Sequence, residues 1–272
     1  KFMEHQAGER FPVIGIFFRD GHGTHLSTYD AHVAAALLKR ISLLPAIVQL
    51  ATAEGTTPEQ IKSAVKSRNF DAIVWEQPDE KRLEALQLFT AETGTPVVTT
   101  GEVYDGFPGV AINLEKAGYD CAKLLIAEGR KHPVFMGNYG PWLRQVKGFR
   151  RAYEEAGIPL NDKLFLKHQN LDALRNIIEL GVPVDAIFNH TNLLRNEIFH
   201  LMQEMHIDVE NECRLICNSL AASVNPEFRG YVYQIDFDQV AEAVVQMLQS
   251  AMNEKKTEMV HKWVNFNVIK QL

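Results

Sequence analysis

Apolar positions along this chain fall into two alternating kinds of pattern. Short apolar runs at Pro12–Phe18, Ala46–Leu50, Asp71–Trp75 and Thr95–Thr99 predict strands buried on both faces. Longer amphipathic stretches separate them. Ser27–Leu43 carries Ala31, Ala34, Ala35, Leu38 and Ile41 at helical spacing. Thr57-Pro58-Glu59-Gln60 reads as a helix start with proline in the first turn, and Pro78–Thr93 reads as the helix after the third strand. The alternation is most regular between Gly109 and Ile158. There the strand Val110–Asn113, the helix Leu114–Glu128, the strand Pro133–Met136 and the helix Trp142–Ala156 follow one another, each helix being closed by glycine. The rest predicts strands at Leu164–Lys167, Val184–Asn189, Arg214–Cys217, Gly230–Tyr233 and Trp263–Ile269, and helices at Leu171–Leu180, Asn192–Met205 and Asp238–Met252.

This is βα alternation from end to end, with right-handed crossovers expected. About a dozen strands exceed what one doubly wound sheet holds comfortably. The fold class expected is therefore α/β with two parallel-sheet subdomains. No low-complexity linker divides them, so the chain should cross between subdomains more than once.

Charge and composition then remove function classes. The 272 residues carry a net charge of −6 with a pI near 5.9, which argues against binding of nucleic acid by this chain itself. The basic run Arg144, Lys147, Arg150 and Arg151 reads as a solvated helix face. The cysteines Cys121, Cys213 and Cys217 give no disulfide framework and suit buried thiols in a reducing cytoplasm. No apolar run approaches the roughly 18 residues of a spanning helix, and no signal peptide is visible in the polar first ten residues. Because the chain begins at Lys1, it reads as a fragment or processed product.

Catalytic and cofactor motifs are missing as well. There is no G-x-S-x-G, P-loop or H-E-x-x-H. Gly21-His22-Gly23 lacks the third glycine of a dinucleotide fingerprint, where Leu26 stands, and no acidic residue ends the second strand. His22 and His25 lack a third metal ligand, and Asp79 and Glu80 fit a helix start. The expectation is a non-enzyme with no cofactor, metal or catalytic residue.

Several short motifs, in order, carry a resemblance. They are Ile14-Gly15-Ile16, Asp71-Ala72-Ile73-Val74, Thr95-Pro96-Val97-Val98, Ala117-Gly118-Tyr119 with Leu124-Leu125 and Gly129, Lys147-Gly148-Phe149, Gly157-Ile158, Asp185-Ala186-Ile187-Phe188 with Asn192, and Tyr233-Gln234-Ile235-Asp236. Together they resemble the effector-binding domain of the LacI/GalR regulators, which shares its architecture with periplasmic sugar-binding proteins. The resemblance implies an N-terminal subdomain of residues 1–130 plus 236–258 and a C-terminal subdomain of 131–235 plus 259–272, around a ligand cleft. It implies a carbohydrate-like effector, a cytoplasmic homodimer, and operator DNA held through an N-terminal DNA-binding domain absent from this chain. That domain is a LacI-type helix-turn-helix or a GntR-type winged helix. The alternative is a solute-binding protein serving a transporter or receptor. Two family positions depart from pattern: the sugar-clamping arginine falls on Gln145, and an aspartate falls on Asn218.

Ligands of open α/β sheets lie at the carboxyl ends of the strands. That rule and the resemblance nominate Arg19, Asp20 and His25 after the first strand, Trp75 and Glu76 ending the third, and Glu102 after the fourth. They also nominate Trp142 and Gln145 on the fifth helix, Asn192, Asn218 and Gln234. Arg19 and Asp20 pair a donor with an acceptor for vicinal hydroxyls, the tryptophans offer stacking faces, and the amides offer both hydrogen-bonding roles.

Overall fold

The computed structural model describes residues 10–18, 28–53, 55–137, 140, 143–167, 170–190, 195–218, 228–254 and 259–271. The chain folds as two compact α/β units. The first takes residues up to Ile112 together with Asp236–Val264, and the second takes Asn113–Ile235 and the stretch from Asn265 onward.

In the first unit the elements are β1 (Val13–Phe17), α1 (Thr28–Ile41), β2 (Ile47–Ala51), α2 (Pro58–Lys66), β3 (Ala72–Glu76), α3 (Glu80–Thr93), β4 (Val97–Gly101) and β5 (Gly109–Ile112). In the second they are α4 (Leu114–Ala127), β6 (Pro133–Met136), α5 (Leu143–Glu155), β7 (Phe165–Leu166), α6 (Leu171–Glu179), β8 (Ala186–Asn189), α7 (Arg195–Glu204), β9 (Arg214–Asn218) and β10 (Gly230–Ile235). The chain then returns to the first unit with α8 (Phe237–Glu254) and β11 (His261–Val264), and ends in the second with β12 (Phe266–Gln271).

Local chemistry fixes the element ends. Thr57 caps α2 in a full capping box, its side chain accepting from Gln60 N while the Gln60 side chain accepts from Thr57 N. Asp79 caps α3, which ends on the left-handed Gly94, and Asn113 caps α4. Asp71 anchors the entry to β1, accepting from Val13 N and from Arg10.

The first sheet has the order β11-β5-β4-β3-β1-β2, parallel throughout. The second has the order β12-β10-β9-β8-β6-β7 and is parallel except for β12, which runs antiparallel to β10. One core gathers Phe17, Ile73, Trp75, Leu86 and Phe89 under α2 and α3. Another gathers Val134, Ile187, Ile198, Met202 and Leu215 under α6 and α7.

Three expectations need correction. The single strand predicted at Trp263–Ile269 is two strands in two sheets, divided at Asn265, with β11 beside β5 and β12 beside β10. The unit boundaries shift accordingly. β11 belongs to the first unit, and α4, expected there, belongs to the second because it packs on α5. That packing is backbone-close. A Cβ on Gly118 would overlap the Gln145 carbonyl, and one on Gly148 would overlap the Glu115 carbonyl. Finally, α1 turns inward through Val33, Ala34, Leu37 and Ile41, not through Ala31, Ala35 and Leu38.

Candidate functional site

The predicted contacts Arg19, Asp20, His25, Trp142 and Asn192, with His22 beside them, lie outside the described residues. The others divide between the two units.

In the first unit, Trp75 and Glu76 end β3 and are fully buried. Trp75 is a core residue: its ring stacks on Phe17 at 4.4 Å between centroids and 16° between planes. The expected stacking face for a sugar is thus occupied by the protein. Glu76 stands in register with Thr100 on β4, whose buried hydroxyl takes no hydrogen bond among the described residues. Gln77 and Gly101, the residues just past these two positions, both adopt positive φ, and Gln77 N donates to the Thr100 carbonyl at 3.0 Å. Glu102 follows β4 and is partly buried.

In the second unit, polar groups converge where β6, β8, β9 and β10 end. His190, just past β8, is fully buried. Its ring Nδ1 lies 2.9 Å from the Met136 carbonyl, so Nδ1 carries the proton of the neutral ring and Nε2 is the acceptor nitrogen. Burial holds its pKa down at about 4, despite the opposing Met136 hydrogen bond. Gly137 makes room for the ring: with φ of 105° it occupies a region that favours glycine, and a Cβ there would overlap the imidazole.

The His190 carbonyl accepts from Asn218 Nδ2 at 3.0 Å and from the Tyr233 hydroxyl at 2.9 Å. Gln145 Nε2 donates to that hydroxyl at 3.3 Å. Gln145 and Asn218 were expected to meet a ligand. The structure brings both into one cluster, where each amide nitrogen donates one hydrogen bond to the protein. Their oxygens, Gln145 Oε1 and Asn218 Oδ1, are buried and take no hydrogen bond among the described residues. Gln234 sits in β10 opposite Asn267, partly exposed and outside this set of hydrogen bonds.

His190 and Tyr233 escaped sequence reasoning. Tyr233 reads as ordinary strand core and His190 as loop; only the polar pair Asn189-His190 ending an apolar strand gave a signal. Three basic residues of α5 pair with acids: Lys147 and Arg151 with Glu115, and Arg150 with Asp162. The three cysteines are buried free thiols, and burial pushes Cys213 and Cys217 up to about 12. Among the described residues no His, Cys, Asp and Glu group is placed to hold a metal, and no helix is long and apolar enough to cross a membrane.

Two parallel-sheet units, with polar residues gathered at strand ends, define a binding-protein architecture. Residues 46–207 match the family of periplasmic binding proteins and sugar-binding domains of LacI-type regulators, and the chain belongs to that family. Catabolite control protein A of Priestia megaterium is 24% identical over 196 residues, 66% of this chain and 56% of its own length. The HTH-type transcriptional regulator RegA of Clostridium saccharobutylicum is 30% identical over 105 residues, 37% of this chain and 31% of its own. The chain thus spans about half or less of the curated relatives it matches.

Among solved structures, the Escherichia coli transcriptional repressor AscG superposes with a TM-score of 0.77 at 14% identity, covering 96% of this chain and 98% of that one. A CelR–cellobiose complex gives 0.72 at 16% identity, covering 95% and 84%. The lac repressor dimer bound to operator and an anti-inducer gives 0.72 at 14% identity, covering 97% and 94%. At these identities the likeness establishes the fold.

Proposed function

We propose that this chain is the effector-sensing part of a cytoplasmic transcriptional regulator that works without catalysis. A small neutral ligand, a sugar or sugar derivative, binds at the carboxyl ends of the strands. Operator DNA is bound by a separate N-terminal domain. The chain acts as a homodimer, and a ligand shifts DNA affinity only as far as it binds one conformation better than the other.

The observation that carries the reading is the uncharged polar cluster at the ends of β8, β9 and β10, in a family described by sugar binding. Amides and a neutral imidazole suit hydroxyl groups, and two buried amide oxygens are left to accept from them. The curated relatives are regulators, which supports this reading over that of a solute-binding protein for transport.

The test is a thermal-shift screen against pentoses, hexoses, uronic acids, disaccharides and sugar phosphates. A ligand that binds only the folded state raises the melting temperature by mass action. A saturable rise with one sugar is expected, at least tenfold weaker in Asn218→Ala. No rise with any panel member at millimolar concentration would sink the sugar reading.

A further inference from the structure

Tyr233 is an expensive choice for a core position. It is fully buried, its ring stacked on Phe188 at 5.2 Å and tilted against Phe266 at 5.2 Å. A phenylalanine would make the same ring contacts without desolvating a hydroxyl. Among the described residues that hydroxyl is satisfied by two groups, the Gln145 amide that donates to it and the His190 carbonyl that accepts from it.

The His190 carbonyl has two lone pairs, and donors from two strands approach it, Asn218 on β9 and Tyr233 on β10. Across from them, His190 donates to the Met136 carbonyl at the end of β6, through Nδ1 at 2.9 Å and through its backbone N–H at 3.4 Å. One residue at the end of β8 is therefore tied to β6, β9 and β10, and through Gln145 to α5. The chain leaves β8 at the carboxyl edge of the sheet, where ligands of such folds are read, and loop residues bind well only on a fixed scaffold.

We propose that Tyr233 is a positioning residue: its hydroxyl fixes the peptide plane at which the chain leaves β8, and Gln145 holds that hydroxyl in place. The proposal rests on the sensing reading above, and adds to it that the Tyr233 hydroxyl sets the site's geometry without touching the effector. One of the two N–H donors on each amide nitrogen is then committed to the protein.

The experiment compares the whole chain with Tyr233→Phe and with Gln145→Met, which keeps the phenol but removes its donor. Hydrogen–deuterium exchange without ligand should rise at least tenfold in Tyr233→Phe for the peptide covering residues 186–190. Exchange over β6 should stay unchanged. Gln145→Met should show a smaller rise at the same peptide. For whichever of D-ribose, D-glucose and cellobiose binds the wild type, calorimetric titration should give a Kd at least tenfold weaker in Tyr233→Phe. Unchanged exchange at 186–190, or an equal rise throughout the second unit, overturns the proposal, since the hydroxyl would then be a general core contact. An unchanged Kd in a variant with raised local exchange also overturns it. If neither these sugars nor any other member of the thermal-shift panel binds the wild type, the sugar reading loses its support. The exchange data still accept or reject the fixing of the strand end.

Discussion

At the residue scale, His190 shows how a tertiary setting gives one side chain properties its sequence neighbours do not announce. Its ring fits only because residue 137 is glycine, and its neutral form is held by burial and by the Met136 carbonyl. The pH consequence follows from the folded pKa of about 4, below the ordinary 6.5. The unfolded state then binds more protons between these values, so stability is full above about pH 6.5 and falls as pH drops toward 4. The loss attributable to this group is on the order of 3 kcal/mol. Urea unfolding from pH 7 to pH 4 should show it, and His190→Asn should have a visibly flatter profile. Equal slopes in the two proteins would mean that His190 is not buried in its neutral form. Trp75 makes the complementary point. Its place at a strand's carboxyl end was legible, but the face of its ring was not, because stacking on Phe17 depends on how β1 and β3 lie side by side.

At the scale of elements, the strands were legible because a parallel strand buried on both faces leaves an apolar run that few other structures leave. β3 is buried at every position, and its helix begins at a capping aspartate visible in the sequence. The inward face of α1 was misread because alanine carries little information about direction: Ala31 and Ala35 face out while Ala34 and Ala36 face in. The α4–α5 contact gives a sharp test. Gly148→Ala should favour the isolated helix by about 1 kcal/mol through propensity. The added Cβ meets the Glu115 main chain, which has no side-chain rotamer to relieve the overlap. Overpacking costs of about 1–3 kcal/mol are usual, so a net loss of stability is expected. A gain in urea midpoint would show that the helices separate easily.

At the scale of the whole molecule, the proposed homodimer has a candidate face. β2 is the edge strand of the first sheet, bonded to β1 alone among the described residues. It exposes Ile47 at 48% and Leu50 at 51%, on opposite faces of the strand, and Leu43 stands exposed just before it. Open apolar edges are an association hazard that proteins normally cover, and a second copy of the chain fits that need. Sedimentation velocity should show a dimer for the wild type and a monomer for Leu50→Lys combined with Ile47→Lys. A dimer that persists in the double variant would exclude this face.

The sequence by itself determined the element order as far as α8, the α/β class, the division into two sheets and the family, because periodicity, caps and turn glycines are local signals. Tertiary structure alone decided where the chain crosses between units. Val264 and Phe266 are two residues apart in the chain, yet one pairs with Ile112 and the other with Ile235. It also decided that Gln145 and Asn218 share one carbonyl-centred cluster with Tyr233 and His190, residues up to 88 positions apart. Hydrogen bonds of that span depend on how strands stack side by side, and no local pattern in a single chain records that arrangement.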